Sequence, residues 1–145
     1  MSLQDIRAQF RRNAVALISL FIAVTGLLYN TWRNEHSEYN RNQRRASFEV
    51  LIQLSELQQL VYLSYYDAET SDGSIFRRGW SKVLIIRDLS AVLDKPLPVR
   101  ADELHGVWDN QWTGLEKHQK DSLNAIEGAI DKLRADTLEK LKELN

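Results

Sequence analysis

The three histidines are the residues of this chain whose type best suits metal binding or acid–base catalysis. They are His36, His105 and His118, and none belongs to an H-E-x-x-H motif. Asp102 and His105 lie one helical turn apart, a spacing that suits a catalytic or metal-binding pair and equally an ordinary surface pair. A metal centre in a helical bundle needs several further ligands, which the sequence does not single out. We therefore expect no metal site.

Other common chemistries also lack their residues. Cysteine is absent, which excludes disulfides, thiolate metal sites and cysteine nucleophiles. No glycine-rich phosphate-binding motif and no G-x-S-x-G occurs. The 19 Lys and Arg against 20 Asp and Glu offer no basis for nucleic-acid binding. We expect a protein that is not an enzyme, with no cofactor, no catalytic residue and no nucleic-acid partner. A catalytic or metal-binding bundle centred on His105 is the alternative.

Residues 13–32 are the most distinctive stretch of the chain because none of them is charged. A helix of about 20 residues rises about 30 Å, which matches the hydrocarbon thickness of a bilayer. Tyr29 and Trp32 end the stretch with amphipathic rings of the kind that collect at membrane–water boundaries. Arginines flank the stretch on both sides: Arg11, Arg12 and Arg33. We predict a single transmembrane helix, with these aromatic and arginine residues at the membrane interfaces.

Two other interpretations of residues 13–32 compete with a membrane span. A cleaved signal sequence also places basic residues before an apolar run. However, the run continues past Val24–Gly26, where cleavage would have to be placed, and no A-x-A pattern follows. A helix buried in a soluble core seldom stays uncharged over this length. We therefore prefer the membrane anchor.

The residues on either side of the span bear on its orientation. Residues 1–12 place Leu3, Ile6 and Phe10 on one helical face, which predicts either an amphipathic interfacial helix or the start of the membrane helix. The nearby arginines nearly balance: Arg7, Arg11 and Arg12 precede the span, and Arg33, Arg41, Arg44 and Arg45 follow it. Closest to the lipid, two precede and one follows. This favours a cytoplasmic N-terminus and a periplasmic C-terminal domain.

Two patterns predict lateral association of helices. Inside the span, small residues recur on one side, which lets helices approach closely in lipid. They are Ala16, Ser19, Ala23 and Gly26. Residues 33–46 are polar but contain no Pro or Gly, so the membrane helix could continue as a stalk. The least polar positions there follow a heptad spacing: Trp32, His36, Tyr39, Gln43, Ala46 and Val50. Such a seam packs either against copies of the chain or against other parts of its own fold, and a solvated linker is the alternative to a stalk.

Residues 47–145 have the apolar periodicity of helices. We expect helices at 47–66, 78–93, 100–113 and 123–144, separated by a loop at 67–74 and a proline-containing break at 94–98. Asp121 or Ser122 is the predicted N-cap of the last helix. The tryptophans are expected in the core, with an interface as the alternative: Trp80, Trp108 and Trp112. The predicted fold is all-α, with a transmembrane helix that continues into a stalk and an antiparallel helical bundle.

Three segments, Tyr29–Glu35, Ser47–Leu51 and Leu54–Gln59, resemble small single-span inner-membrane proteins of proteobacteria, a group with no assigned function. The resemblance covers the first half of the chain. It implies a bacterial inner membrane and carries over no functional residue.

Together these observations predict a non-catalytic, membrane-anchored interaction or assembly module, acting as an accessory subunit or self-associating scaffold of a membrane complex. Its partners would be the lipid bilayer and either further copies of itself or other subunits. A sensory or regulatory bundle that binds a small ligand is the alternative. The predicted segments are an N-terminal flank at 1–12, the span at 13–32, the stalk at 33–46 and the bundle at 47–145.

Overall fold

The computed structural model describes residues 3–67 and 73–144, with side chains from residue 13 onward. These residues form four α-helices and no strand: α1 (Leu3–Tyr66), α2 (Gly73–Ala91), α3 (Leu97–Glu116) and α4 (Lys120–Glu143). The prediction of an all-α chain with a long apolar N-terminal helix is confirmed. Contacts divide the chain into two compact units, Met1–Asn40 and Arg41–Asn145.

Helix α1 is long because its sequence contains no signal that would end it. No glycine lies between Gly26 and Gly73, and the first proline is Pro96, so the residues that most often break helices are absent from its second half. Residues 33–46 are helical throughout, as expected. The amphipathic face predicted for 1–12, with Leu3, Ile6 and Phe10, lies outside the described side chains.

The boundaries of the later helices differ from those expected. Helix α2 begins at Gly73 rather than near residue 78, and residues 68–72 of the predicted loop lie outside the described residues. Helix α3 begins at Leu97 and includes Pro98 in its first turn. A proline is tolerated there because the first-turn N–H groups have no partner within the helix. Our placement of a break through Pro98 was therefore wrong.

The predicted N-cap of α4 was also wrong. Gln119 occupies the cap position, and its side chain makes no capping hydrogen bond. Asp121 lies in the first turn, where its negative charge interacts favourably with the positive end of the helix dipole. The Ser122 hydroxyl instead donates to Oε1 of Gln111, at 2.8 Å, so it joins α4 to α3.

Cross-helix contacts within residues 41–145 show the direction in which neighbouring helices run. Lys82 of α2 donates to Oε1 of Gln53 at 2.9 Å, whereas Val92, which directly follows α2, accepts from Gln43, an earlier residue of α1. The same inverse order holds between α2 and α3, where Phe76 contacts Trp112 and Arg87 contacts Asp102. Between α3 and α4 the pairs are Gln111–Ser122 and Arg100–Asp136. Between α1 and the segment that includes α4 they are Tyr65–His118 and Gln58–Arg134. Inverse residue order is the order of antiparallel neighbours.

The second unit has one apolar core to which all four helices contribute. Fully buried leucine and isoleucine side chains each stabilise the fold by about 1.5–3 kcal/mol relative to an exposed position. Those from α1 are Leu54 and Leu57, with Val50 and Val61; those from the other helices include Ile86, Leu97, Leu104, Ile126, Ile130 and Leu133. Most recur three or four residues apart, the period on which the helix predictions relied.

Gln43 shows that part of the predicted heptad seam faces this core. Its side chain is 5% exposed, Val50 is fully buried, and Ala46 packs against the core. The Gln43 amide donates to the carbonyl oxygen of Val92 at 3.0 Å and accepts from the N–H of Asp94 at 3.2 Å. These three seam positions are therefore covered by their own chain.

We predict that Gln43→Leu lowers the free energy of unfolding by about 1–3 kcal/mol. The leucine fills a similar volume but leaves the Val92 carbonyl and the Asp94 N–H without their amide partner. Chemical denaturation of the full chain in detergent measures the change. The control is Asn124→Leu, an exposed position on α4, for which we expect a change within about 0.5 kcal/mol. Equal effects of the two substitutions would contradict the role given to the Gln43 amide.

Candidate membrane-spanning site

The apolar stretch of α1 presents its side chains outward. Of the described residues 13–42, none is buried; Val15 is 71% exposed and Phe21 is 72% exposed. Within the described part of the chain this is the one helix that is long and apolar enough to cross a membrane. Core helices of soluble proteins and signal sequences can match it in length and composition. A core helix, however, is mostly covered by its own chain.

Aromatic rings follow one another along α1 where the apolar stretch ends. The ring centroids of Tyr29 and Trp32 are 6.2 Å apart, and those of Trp32 and His36 are 6.1 Å apart with the planes nearly parallel. Both Tyr29 and Trp32 are more than 60% exposed, and Arg33 follows them on the exposed helix. Amphipathic rings beside a cation suit a lipid headgroup layer. The side chains of the other predicted interface residues, Arg11 and Arg12, lie outside the described ones.

The four small residues predicted to support helix association lie on an open helix surface. Ala16, Ser19, Ala23 and Gly26 are all exposed. A Cβ atom built at Gly26 would meet nothing within 4 Å. A second helix therefore meets no side chain of this chain at Gly26, which is the property that close packing in lipid requires.

The histidines are dispersed. Asp102 forms an ion pair with Arg87 at 3.0 Å, and the ring of His105 instead stands edge-on to Trp80, 5.6 Å between centroids. His118 lies between α3 and α4, with Nδ1 2.6 Å from the carbonyl oxygen of Tyr65. No group of three potential ligands that could hold a metal ion occurs within residues 13–67 and 73–144.

Trp108 belongs to the core, as expected, and Trp80 and Trp112 are partly buried against it. The Trp108 indole lies directly over Gly79 of α2. A Cβ atom at Gly79 would lie 2.6 Å from Cη2 of Trp108 and closer still to Cζ2. Glycine is therefore the residue that lets the ring and the α2 backbone meet.

Sequence reasoning missed several exposed apolar side chains in the second unit, among them Phe48 and Ile52, which are 52% and 51% exposed. These two lie four residues apart on α1. The buried residues Val50 and Leu54 dominate the periodicity of the same segment, which hides the weaker pattern between them. The sequence feature that could have revealed these exposed side chains is the presence of apolar residues on both sides of one helix.

No protein-family model, curated protein or solved structure matches this chain.

Proposed function

We propose that the chain is a non-catalytic, membrane-anchored assembly module of a bacterial inner membrane. The apolar part of α1 crosses the bilayer once, and the helical unit Arg41–Asn145 serves as the water-exposed part that contacts other subunits or copies. The observation that carries the proposal is the uncharged stretch 13–32, whose side chains are exposed. Exposed apolar side chains over this length are stable in lipid and costly in water.

The proposed orientation places the N-terminus in the cytoplasm and the helical unit in the periplasm. Two arginines, Arg11 and Arg12, precede the span, and one, Arg33, directly follows it. An excess of cationic residues marks the cytoplasmic side of a span. The later arginines, Arg41, Arg44 and Arg45, are further from the span along the sequence, so we give them less weight in the orientation.

We predict that the full-length protein pellets with membranes, stays there at alkaline pH and is released by detergent. In intact spheroplasts, added protease should remove the C-terminal unit, and the intact mass of the membrane-bound protein should include residues 1–32. Protein found in the supernatant without detergent would contradict the anchor. A membrane-bound but protease-resistant C-terminus would reverse the orientation, and loss of residues 1–32 would identify a signal sequence.

The role in assembly is tested separately by the size of the detergent-solubilised protein and by its co-purifying partners. We expect a species larger than a monomer, composed of this chain alone or with other subunits. A strict monomer without partners would contradict the assembly role while leaving the anchor intact.

A groove between α3 and α4 favours the second candidate, a sensory bundle that binds a small ligand. It is open to solvent, has a volume of about 520 Å³, and includes Arg100, Glu103, Asn110 and Lys132 in a lining of mixed polarity. Its volume lies in the range of small-molecule sites. Arg100 is already engaged by Asp136 and Glu103, and the bond to Asp136 raises the pKa of the Arg100 guanidinium. A rise in melting temperature with a polar metabolite, lost in Lys132→Ala, would support this candidate.

A further inference from the structure

A second heptad pattern runs along the side of α1 that faces away from the core. Six exposed residues follow a 4,3,4,3,4 spacing, and we refer to them as the outer stripe: Phe48, Ile52, Ser55, Gln59, Tyr62 and Tyr66. Four of the six are large apolar or aromatic side chains, with exposures between 40% and 72%. The stripe lies entirely within the second unit and spans about 27 Å of helix.

The opposite side of the same helix is fully engaged by its own chain. Val50, Leu54, Leu57 and Val61 have no exposed area. On a helix of 3.6 residues per turn, these positions lie about half a turn from the outer stripe. This part of α1 therefore has two apolar faces. One is packed in the core, and the other is exposed, with the Tyr62 hydroxyl hydrogen-bonded to Gln58 and Glu127 of its own chain. A heptad row of apolar side chains on one helix is the pattern that packs against another helix.

The charges beside the stripe indicate which helix would fit. With Phe48, Ser55 and Tyr62 at d positions, Ile52 and Gln59 occupy a positions. Arg44 then occupies a g position, and Glu49 the e position five residues later. In a parallel pair of identical helices, each g residue meets the e residue five positions on in its partner. Arg44 would thus meet Glu49 of the second copy, twice by symmetry.

An antiparallel pair lacks this match because it sets e residues against e residues. Glu49 and Glu56 are both e residues, so antiparallel copies would place carboxylates near one another. Glu56 is already paired with Lys82 of its own chain. Copies anchored in the same membrane also point the same way, so the parallel arrangement agrees with the proposed anchor and in that respect rests on the proposed function.

We infer that the outer stripe is a homodimer interface, at which α1 of a second copy packs in parallel against Phe48, Ile52, Ser55 and Tyr62. The interface is isologous, so each stripe residue lies opposite its own counterpart. The polar residues Ser55 and Gln59 in the stripe reduce affinity and help to set the register.

Cysteine crosslinking tests this inference directly because the chain has no cysteine of its own. Ser55→Cys places a thiol in the stripe, and Ser81→Cys is a matched control on α2. Both serines are exposed, and each hydroxyl donates to the carbonyl four residues earlier, that of Leu51 or Arg77. In membranes treated with a mild oxidant, we expect most Ser55→Cys protein to form a crosslinked dimer of this chain and most Ser81→Cys protein to stay monomeric.

Two results of that experiment would overturn the inference. One is equal crosslinking of the two variants, which would indicate random collision. The other is crosslinking of Ser55→Cys to a different protein, which would assign the stripe to a foreign helix. Membrane pelleting is scored on the same samples. If the protein is membrane-bound but does not crosslink, the interface is contradicted and the anchor is retained. If it is soluble but crosslinks, the anchor is contradicted and the interface is retained.

A charge substitution provides a second test. Ile52→Glu adds two carboxylates to a dimer, and with Glu49 of each copy beside the stripe this places four like charges near one another. We expect loss of the dimer in detergent, with helix content and melting of the monomer unchanged because Ile52 is half exposed. Leu84→Glu, at a 43% exposed position of α2, is the control and should leave the dimer intact. A dimer that survives Ile52→Glu would contradict the interface.

Discussion

Replacing Phe21 and Ile22 together by arginine is expected to move the protein from the membrane fraction to the soluble or aggregated fraction. Both positions lie near the centre of the uncharged stretch, and both side chains are exposed. An arginine at the middle of a membrane helix costs about 2.5–3.5 kcal/mol on insertion scales. Two such residues therefore cost about 5–7 kcal/mol, which is enough to prevent stable insertion. Quantitative fractionation of cells expressing the full chain measures the effect.

The matched control adds the same charge outside the uncharged stretch. Asn34 and Ser37 are exposed residues of α1 that follow Trp32, and their replacement by arginine should leave the protein in the membrane fraction. If both double variants fractionate like the original protein, residues 13–32 do not anchor it. If both leave the membrane, added charge rather than its position is responsible.

Gly79→Ala is expected to lower the free energy of unfolding by about 1–3 kcal/mol, the cost of overpacking a core. Alanine normally stabilises a helix relative to glycine by about 1 kcal/mol, but here its Cβ would overlap the Trp108 ring. Trp108 is 3% exposed and belongs to the core cluster, so a shift of the ring away from α2 would disturb its packing against the other core residues. Chemical denaturation followed by tryptophan fluorescence would report the stability, together with the average environment of the four tryptophans, of which Trp108 is one.

Two other helical glycines provide the opposite expectation for the same substitution. Cβ atoms built at Gly106 of α3 and Gly128 of α4 meet nothing within 4 Å. Gly106→Ala and Gly128→Ala should therefore raise stability by about 0.5–1 kcal/mol. A Gly79→Ala protein as stable as these two would show that α2 and Trp108 do not pack as described.

The periodicity of apolar residues was sufficient to predict the helices. In the last predicted helix the apolar residues Leu123, Ile126 and Ile130 are buried at helical spacing, and the helix ends at Glu143, close to the expected end at residue 144. The helix predicted to end at Tyr66 does end there. A long segment whose apolar residues recur every three or four positions indicates a helix, because that period places all of them on the one face that packs against the core.

Helix ends and partners could not be predicted in the same way, since they depend on contacts between segments distant in sequence. Ser122 has the side chain of a good N-cap, but Gln111 on α3 engages its hydroxyl. The heptad pattern from Trp32 to Val50 indicated a helix partner and could not say whose. From Gln43 onward the partner is the chain itself, whereas Trp32 is 63% exposed. A heptad pattern predicts that one face of a helix is packed, but it does not show whether that face packs within the same chain or against another chain.

The side chain of Gln43 also limits how α1 can slide. Its amide bonds at once to an acceptor and a donor of the loop between α2 and α3, at 3.0 and 3.2 Å. A one-residue displacement of α1 along its axis moves this amide by about 1.5 Å, beyond the span of about 0.5 Å over which a hydrogen bond is retained. A piston-like movement of α1 in this unit would therefore have to break both bonds together, so it would proceed as a discrete step instead of a gradual drift.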